Sequence, residues 1–275
     1  MPLTLLELRD GDSRVELAPG RGGMVTRFAA SGREVLYLDE ASLLDETRNV
    51  RGGIPILFPI AGRLTGDAFE HQGRRYELKQ HGFARNRAWQ VTAHETRSAT
   101  LSLWSDEASR AGFPFDFHLE FTYRLEGPQL TIAQRYQNRG TESMPLHAGF
   151  HPYFLVADGE KGSTRIDTRA TRAFDNVTKV EGPFPGFDLT RTEVDLHLRD
   201  HGSDDASLVL ADGSRIELEG SPEFSSWVVW TVEKKDFVCL EPWTAPGGAL
   251  ASGKNLLWIP AGGVRELSLL LRHVS

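Results

Sequence analysis

The chain predicts an all-β fold: a large antiparallel β-sandwich with few short helices. Short apolar or alternating runs recur along its 275 residues. Between them stand dipeptides that suit tight hairpin turns, such as Ser31-Gly32 and Asp212-Gly213. Helical periodicity is scarce, and no repeat of fixed period marks a solenoid or propeller.

Taken in order, the runs Phe28-Ala29-Ala30 and Val35 to Leu38 flank Ser31-Gly32. The runs Phe69 to His71 and Arg75 to Leu78 flank Gln72-Gly73. An alternating run from Phe121 to Leu125 breaks at Glu126-Gly127-Pro128 and resumes as Leu130 to Ala133. The clearest hairpin joins Leu208–Ala211 to Arg215–Leu218 through Asp212-Gly213, because Asp-Gly accepts the positive φ of the turn. Trp227 to Val232, Phe237 to Leu240 and Leu267 to Leu271 read as core strands. Residues 106–111 are expected to make one helical turn before Gly112 and Pro114 stop it. Residues 200–205 read as a loop, too short for a linker, so residues 1–275 are expected to form one domain.

Bulk properties narrow the partners. A net charge of −7 without any basic block opposes nucleic acid or an anionic membrane as the target. Cys239 is the one cysteine, which excludes an intrachain disulfide and fits a reducing compartment. The start Met1-Pro2-Leu3-Thr4 lacks the basic and apolar regions of a secretory signal, and no apolar run approaches the ~20 residues of a membrane span. A cytoplasmic location is expected.

Chemistry-bearing residues gather in four places. Pro145 to Phe154 packs two histidines, two prolines and three aromatics into ten residues. His147 and His151 would sit roughly 13 Å apart in an extended chain, too far for one metal, so a single imidazole at a cavity edge is the better functional reading. Arg51 to Leu64 is an apolar segment bracketed by Arg51 and Arg63, whose forks suit polar oxygens or surface carboxylates alike. In Gln80 to Arg85, Gly82 beside His81 would permit a close backbone approach to a ligand. In Leu240-Glu241-Pro242-Trp243, Pro242 is expected to end the strand and leave Glu241 at its exit, with a perturbed pKa. Trp243 could offer a face to a sugar ring or sit in the core.

Together these segments resemble the bacterial branch of the aldose 1-epimerase (galactose mutarotase-like) family. The matching motifs run in the family's order: Arg51 to Pro59, Gln80 to Arg85, His151 to Phe154 and Glu241 to Trp243. The resemblance implies the galactose mutarotase-like supersandwich and an isomerase that interconverts the α and β anomers of an aldose without metal or organic cofactor. It implies Glu241 as general base, His151 as general acid, and His81 as a second histidine that orients the sugar and assists at the ring oxygen. A burial-raised Glu241 and a carboxylate-supported His151 would bring the two pKa values together. Arg63 corresponds to an arginine that contacts sugar hydroxyls, and Asp175 to a sugar-binding aspartate. His147 has no motif role and is assigned to structure.

Free aldoses are the expected substrates, with hexose 6-phosphates held by Arg51 and Arg85 as the alternative. A non-catalytic carbohydrate-binding sandwich would use the same aromatics but has no need of a His/Glu pair. A glycosidase would need two placed carboxyl groups. A His-based metal enzyme would need a ligand cluster that no sequence spacing supplies. The expected partner is thus a small sugar, bound by a monomer or homodimer.

Overall fold

A computed structural model describes residues 3–184, 186–202 and 204–275. Met1 and Pro2 of the N-terminal segment and Ser203 of the 200–205 loop lie outside the described residues. The architecture is the expected antiparallel one, built around two eight-stranded sheets. In the first, Val264–Val274 lies between Arg215–Gly220 and Gln129–Asn138, and Phe117–Glu126, Ser98–Trp104 and Gln90–His94 follow outward. The second runs Val180–Pro183, Arg172–Asp175, Glu193–Arg199, Ser226–Val232, Phe237–Trp243, Gly149–Phe150 and Ile56–Leu57, with Tyr153–Leu155 also paired to Phe237–Trp243. One cluster of buried apolar side chains draws on both sheets, including Phe121, Ile132 and Leu269 from the first and Val229 and Leu240 from the second. No helix among the described residues is long and apolar enough to cross a membrane.

The turn chemistry acts largely as read. Phe117–Glu126 and Gln129–Asn138 pair over ten positions across Gly127-Pro128. Gln72 and Gly73 both take positive φ and join Ala68–His71 to Arg74–Glu77. Ser31 and Gly32 also turn with positive φ, but only Arg33 and Glu34 return along the hairpin. Val35 still donates to Phe28 O at 2.8 Å, but beyond it the chain departs from the hairpin: Leu36 bridges Phe154 and Leu38 bridges Gly52. The Asp212-Gly213 hairpin forms with a longer loop than a two-residue turn, because the ladder closes at Val209 and Arg215. The short helix spans Glu107–Gly112, and Asp106 and Ser109 cap its start reciprocally.

Two strand expectations need correction. Phe237–Trp243 continues through Pro242, so Glu241 sits inside the strand opposite Val228 rather than at its exit. On the far side the partner chain is interrupted between Gly149, opposite Trp243, and Tyr153, opposite Cys239, and a proline is tolerated beside such a break. Glu193–Arg199 is a full strand that the charged sequence Glu-Val-Asp-Leu-His-Leu-Arg concealed.

Candidate active site

A cavity of about 460 Å³ opens on the second sheet and is lined by seven of the eight site candidates, all but Asp175, among them His81, His151, Glu241, Arg51, Arg63 and Arg85. Trp243 also lines it. Strand alternation explains the lining. Cys239, Glu241 and Trp243 turn to one face of Phe237–Trp243, while Val238 and Leu240 enter the core. The volume lies within the range of small-molecule sites.

Glu241 and His151 meet at its floor. His151 Nε2 stands 3.4 Å from Glu241 Oε1, and both side chains are buried. The Trp243 indole donates to Glu241 Oε2 at 3.1 Å. His151 is held by its backbone N–H, which donates to Pro55 O at 3.1 Å, and by stacking on Tyr153 at 4.6 Å. Burial pushes the Glu241 carboxyl well above the usual carboxylate range, and the nearby Asp195 adds to the rise. His151 moves opposite to the expected support by a carboxylate: burial, then the charges of Arg85 and Arg51, lower it to about 3. Both shifts run toward the uncharged form of each group, a carboxylic acid facing a neutral imidazole. The ion pair differs from that state only by moving one proton across the contact.

His81 stands edge-on to His151, with ring centres 5.4 Å apart. Its backbone has a φ of 65°, in the left-handed region. Gly62 and His81 clamp each other: the His81 N–H donates to Gly62 O at 2.8 Å, and the Gly62 N–H donates to His81 Nδ1 at 3.1 Å. Nδ1 is thus an acceptor, and the neutral ring carries its hydrogen on Nε2; the Gln80 side-chain nitrogen 3.2 Å away is itself a donor, so that amide pairs with the ring only when turned to present its oxygen. Burial, followed by the neighbouring His151, lowers His81 well below the ordinary histidine range. Gly82 has a different purpose from the expected ligand approach. At φ 67°, an added Cβ would lie 2.3 Å from Phe58 O, so the close neighbour is backbone.

Arg51 and Arg85 reach the cavity without a carboxylate partner among the described residues. Arg51 lies over the Trp230 ring at 5.7 Å, and its charge works against the burial that raises the Tyr153 hydroxyl. Its segment passes close to the strand Met24–Ala30 because Gly53, at φ 62°, leaves room where a Cβ would meet Val25 O at 2.2 Å. Arg85 donates to Gln80 O at 2.8 Å, while its buried Nε has no partner. Desolvation lowers its guanidinium to about 10. Arg63 is exposed at the mouth and forms a two-bond pair with Asp67 at 2.7 and 2.8 Å.

The remaining candidates separate. Asp175 does not line this cavity: it accepts from the backbone of Val177 and Thr178 and pairs with Arg191. Its neighbour Asn176 lines the cavity and donates to Asp195 at 2.6 Å. Trp243 is buried against His81, His147 and His197 edges, and its observed contact is with Glu241 rather than with an open cavity face. His147 lies behind Trp243 and its Nε2 donates to Ala245 O at 2.8 Å, outside the lining.

Several lining residues escaped the sequence reading. Glu193, Asp195, His197 and Arg199 alternate along one strand and face the cavity together. Asp195 lies 3.2 Å from His197. Trp230, half-buried, is a more open aromatic than Trp243, and its indole donates to Glu193 at 3.1 Å. The signal was the polar alternation at 193, 195, 197 and 199, where only the intervening Val194, Leu196 and Leu198 are apolar.

Fold and cavity together define a galactose mutarotase-like sandwich protein. The aldose 1-epimerase family matches residues 4–256. The Slr1438 protein of Synechocystis sp. PCC 6803 is 38% identical, with a TM-score of 0.96 over 100% of this chain and 96% of that one. A protein of Cenchrus ciliaris, named provisionally as a glucose-6-phosphate 1-epimerase, is 26% identical over 89% of this chain and 74% of its own. A galactose mutarotase related enzyme of Lactobacillus acidophilus shares the fold at 20% identity, with a TM-score of 0.84 over 99% and 98% of the two chains. This chain belongs to the aldose 1-epimerase family.

Proposed function

We propose that the protein is an isomerase that interconverts the α and β anomers of an aldose, with Glu241 and His151 as the proton-transfer pair. The observation that carries this reading is their 3.4 Å contact at the floor of a sugar-sized cavity. The two oxygens that exchange protons in a hemiacetal share one carbon. A base for one and an acid for the other must therefore stand side by side, each within ~3 Å of its oxygen.

From the ion-paired form, Glu241 removes the proton of the anomeric hydroxyl while His151 protonates the ring oxygen. The C1–O5 bond breaks, leaving the open-chain aldehyde, a protonated Glu241 and a neutral His151. Rotation about C1–C2 presents the other face of the carbonyl. Closure returns one proton from Glu241 to the new anomeric oxygen and the other from the C5 hydroxyl to His151. The pair ends as it began, so no external proton is needed. His81, neutral and donating from Nε2, orients the ring oxygen side without changing charge. Trp243 fixes Glu241, and Asp195 with Asn176 offers the hydroxyl partners expected of Asp175.

A second reading concerns the substrate. Arg51 and Arg85 lack carboxylate partners, and the buried Arg85 Nε has none at all. Such donors suit a phosphate, which favours a hexose 6-phosphate over the free aldose suggested by the motifs around His151 and Glu241. The test is a side-by-side epimerisation assay of several aldoses and their 6-phosphates. Acceleration restricted to the free sugars supports the first substrate class, restriction to the phosphates supports the second, and no acceleration with either removes the enzymatic reading.

A further inference from the structure

Cys239 has no part in the proposed reaction, yet its thiol lies beside both groups that do. It precedes Glu241 by two residues on one strand, so both turn to the same face, where Glu241 lines the cavity and Cys239 packs with Tyr153 and Phe237. One ligating atom from each of His151, Cys239 and Glu241 falls within 4.8 Å of the other two, and all three residues are buried. The His151 ring is not pinned on its other side: Nδ1 is buried without a hydrogen-bond partner, so no hydrogen bond there fixes which nitrogen faces Glu241 and Cys239.

Imidazole, thiolate and carboxylate make a donor set for tetrahedral zinc, with bonds of about 2.0–2.3 Å. Bonds of that length set neighbouring ligand atoms roughly 3–4 Å apart. The His151–Glu241 contact already has such a spacing at 3.4 Å. We propose that His151, Cys239 and Glu241 form an inhibitory site for a borderline-soft divalent cation of the zinc class, with its fourth position open to the sugar cavity.

Charge decides which cation fits. Arg51 and Arg85 oppose any positive ion here, so the two charges of the metal must be cancelled locally. A thiolate and a carboxylate cancel them, with a neutral imidazole completing the set. As the metal–sulfur bond forms, the thiol proton leaves to solvent, and any proton on Glu241 leaves with it. Magnesium and calcium, which require several oxygen ligands, find too few. A bound zinc removes acid and base at once and excludes the hemiacetal, so inhibition is competitive with sugar. The inhibitory half of this inference rests on the catalytic reading of His151 and Glu241; the binding half does not.

The test has two arms. Cobalt(II) titrated into the protein is expected to give a thiolate-to-metal charge-transfer band, displaced by zinc and absent in Cys239→Ser and Cys239→Ala. Since Cys239 is the one cysteine, the band can report no other residue. In the epimerisation assay, the zinc concentration for half-inhibition is expected to rise at least ~10-fold in the variant that folds better, each measured against its own uninhibited rate. Magnesium is expected to inhibit neither protein. No cobalt band in the wild type overturns the site, even if epimerisation is normal. A band without competitive inhibition overturns the inhibitory role, and equal zinc sensitivity in wild type and variant overturns Cys239 as a ligand. A wild type inactive on every sugar would remove the proposed function, while the cobalt titration would still decide the site.

Discussion

His147 makes stability depend on pH in a way that one substitution isolates. Its ring is fully buried, and desolvation lowers its pKa to about 4 from an ordinary 6.5. Above pH 6.5 it is neutral whether the chain is folded or not, and contributes nothing to pH dependence. Below 6.5 the unfolded chain binds a proton that the folded chain refuses, so stability falls with pH until the folded ring itself titrates near 4. The two values give a loss of about 2 kcal/mol at pH 5 and about 3 kcal/mol below pH 4, at 1.36 kcal/mol per pKa unit. His147→Gln keeps an amide donor for Ala245 O and cannot take up the proton. Urea unfolding at pH 7 and pH 5 measures the effect, with the slope m checked for constancy. The wild type is expected to lose about 2 kcal/mol more than the variant over that interval. An equal loss in both would show that His147 is not buried and neutral as described.

Other expectations concern the cavity. Glu241→Gln and His151→Ala are each expected to lower kcat at least ~100-fold, the usual contribution of a positioned acid or base, with turnover on the preferred sugar as the measurement. Arg85→Ala should raise KM for glucose 6-phosphate far more than for glucose if the phosphate reading holds, whereas equal rises would favour the free aldose. Gly82→Ala is expected to destabilise by about 1–3 kcal/mol through its left-handed backbone and the clash with Phe58 O, seen as a lower urea midpoint. In kcat/KM profiles, no acid limb from a second proton on the Glu241–His151 pair is expected between pH 7 and pH 5, because burial and the charges of Arg85 and Arg51 hold the His151 imidazole at about 3. Activity should instead decline on the alkaline side, as the Glu241–His151 pair loses its one shared proton.

The legible parts of this chain were those where local chemistry decides the structure. Gly127-Pro128 and Gln72-Gly73 dictate their turns whatever surrounds them, and Asp106 with Ser109 dictates a helix start. Val35 to Leu38 escaped that logic because partners distant in sequence, Phe154 and Gly52, claim its residues. The strand at Glu193–Arg199 was hidden for a related reason. Its polar positions face a cavity rather than bulk solvent, so charge in the sequence read as exposure. Asp175 illustrates the limit of a short motif. One residue of register turns Asn176 inward and leaves Asp175 to pair with Arg191. The pKa of His151 was illegible too, since Arg51 and Arg85 approach it only in the folded chain.

Saturation-transfer NMR on an equilibrated sugar tests the central claim most directly, since it reads exchange between anomers without any net reaction. With the preferred aldose or its 6-phosphate, the wild type is expected to carry saturation from one anomeric proton to the other far faster than buffer does. Glu241→Gln, folded and still binding sugar, is expected to carry it at close to the buffer rate. Rapid exchange in that variant, or none in the wild type with any sugar, would contradict the assignment of the His151–Glu241 pair.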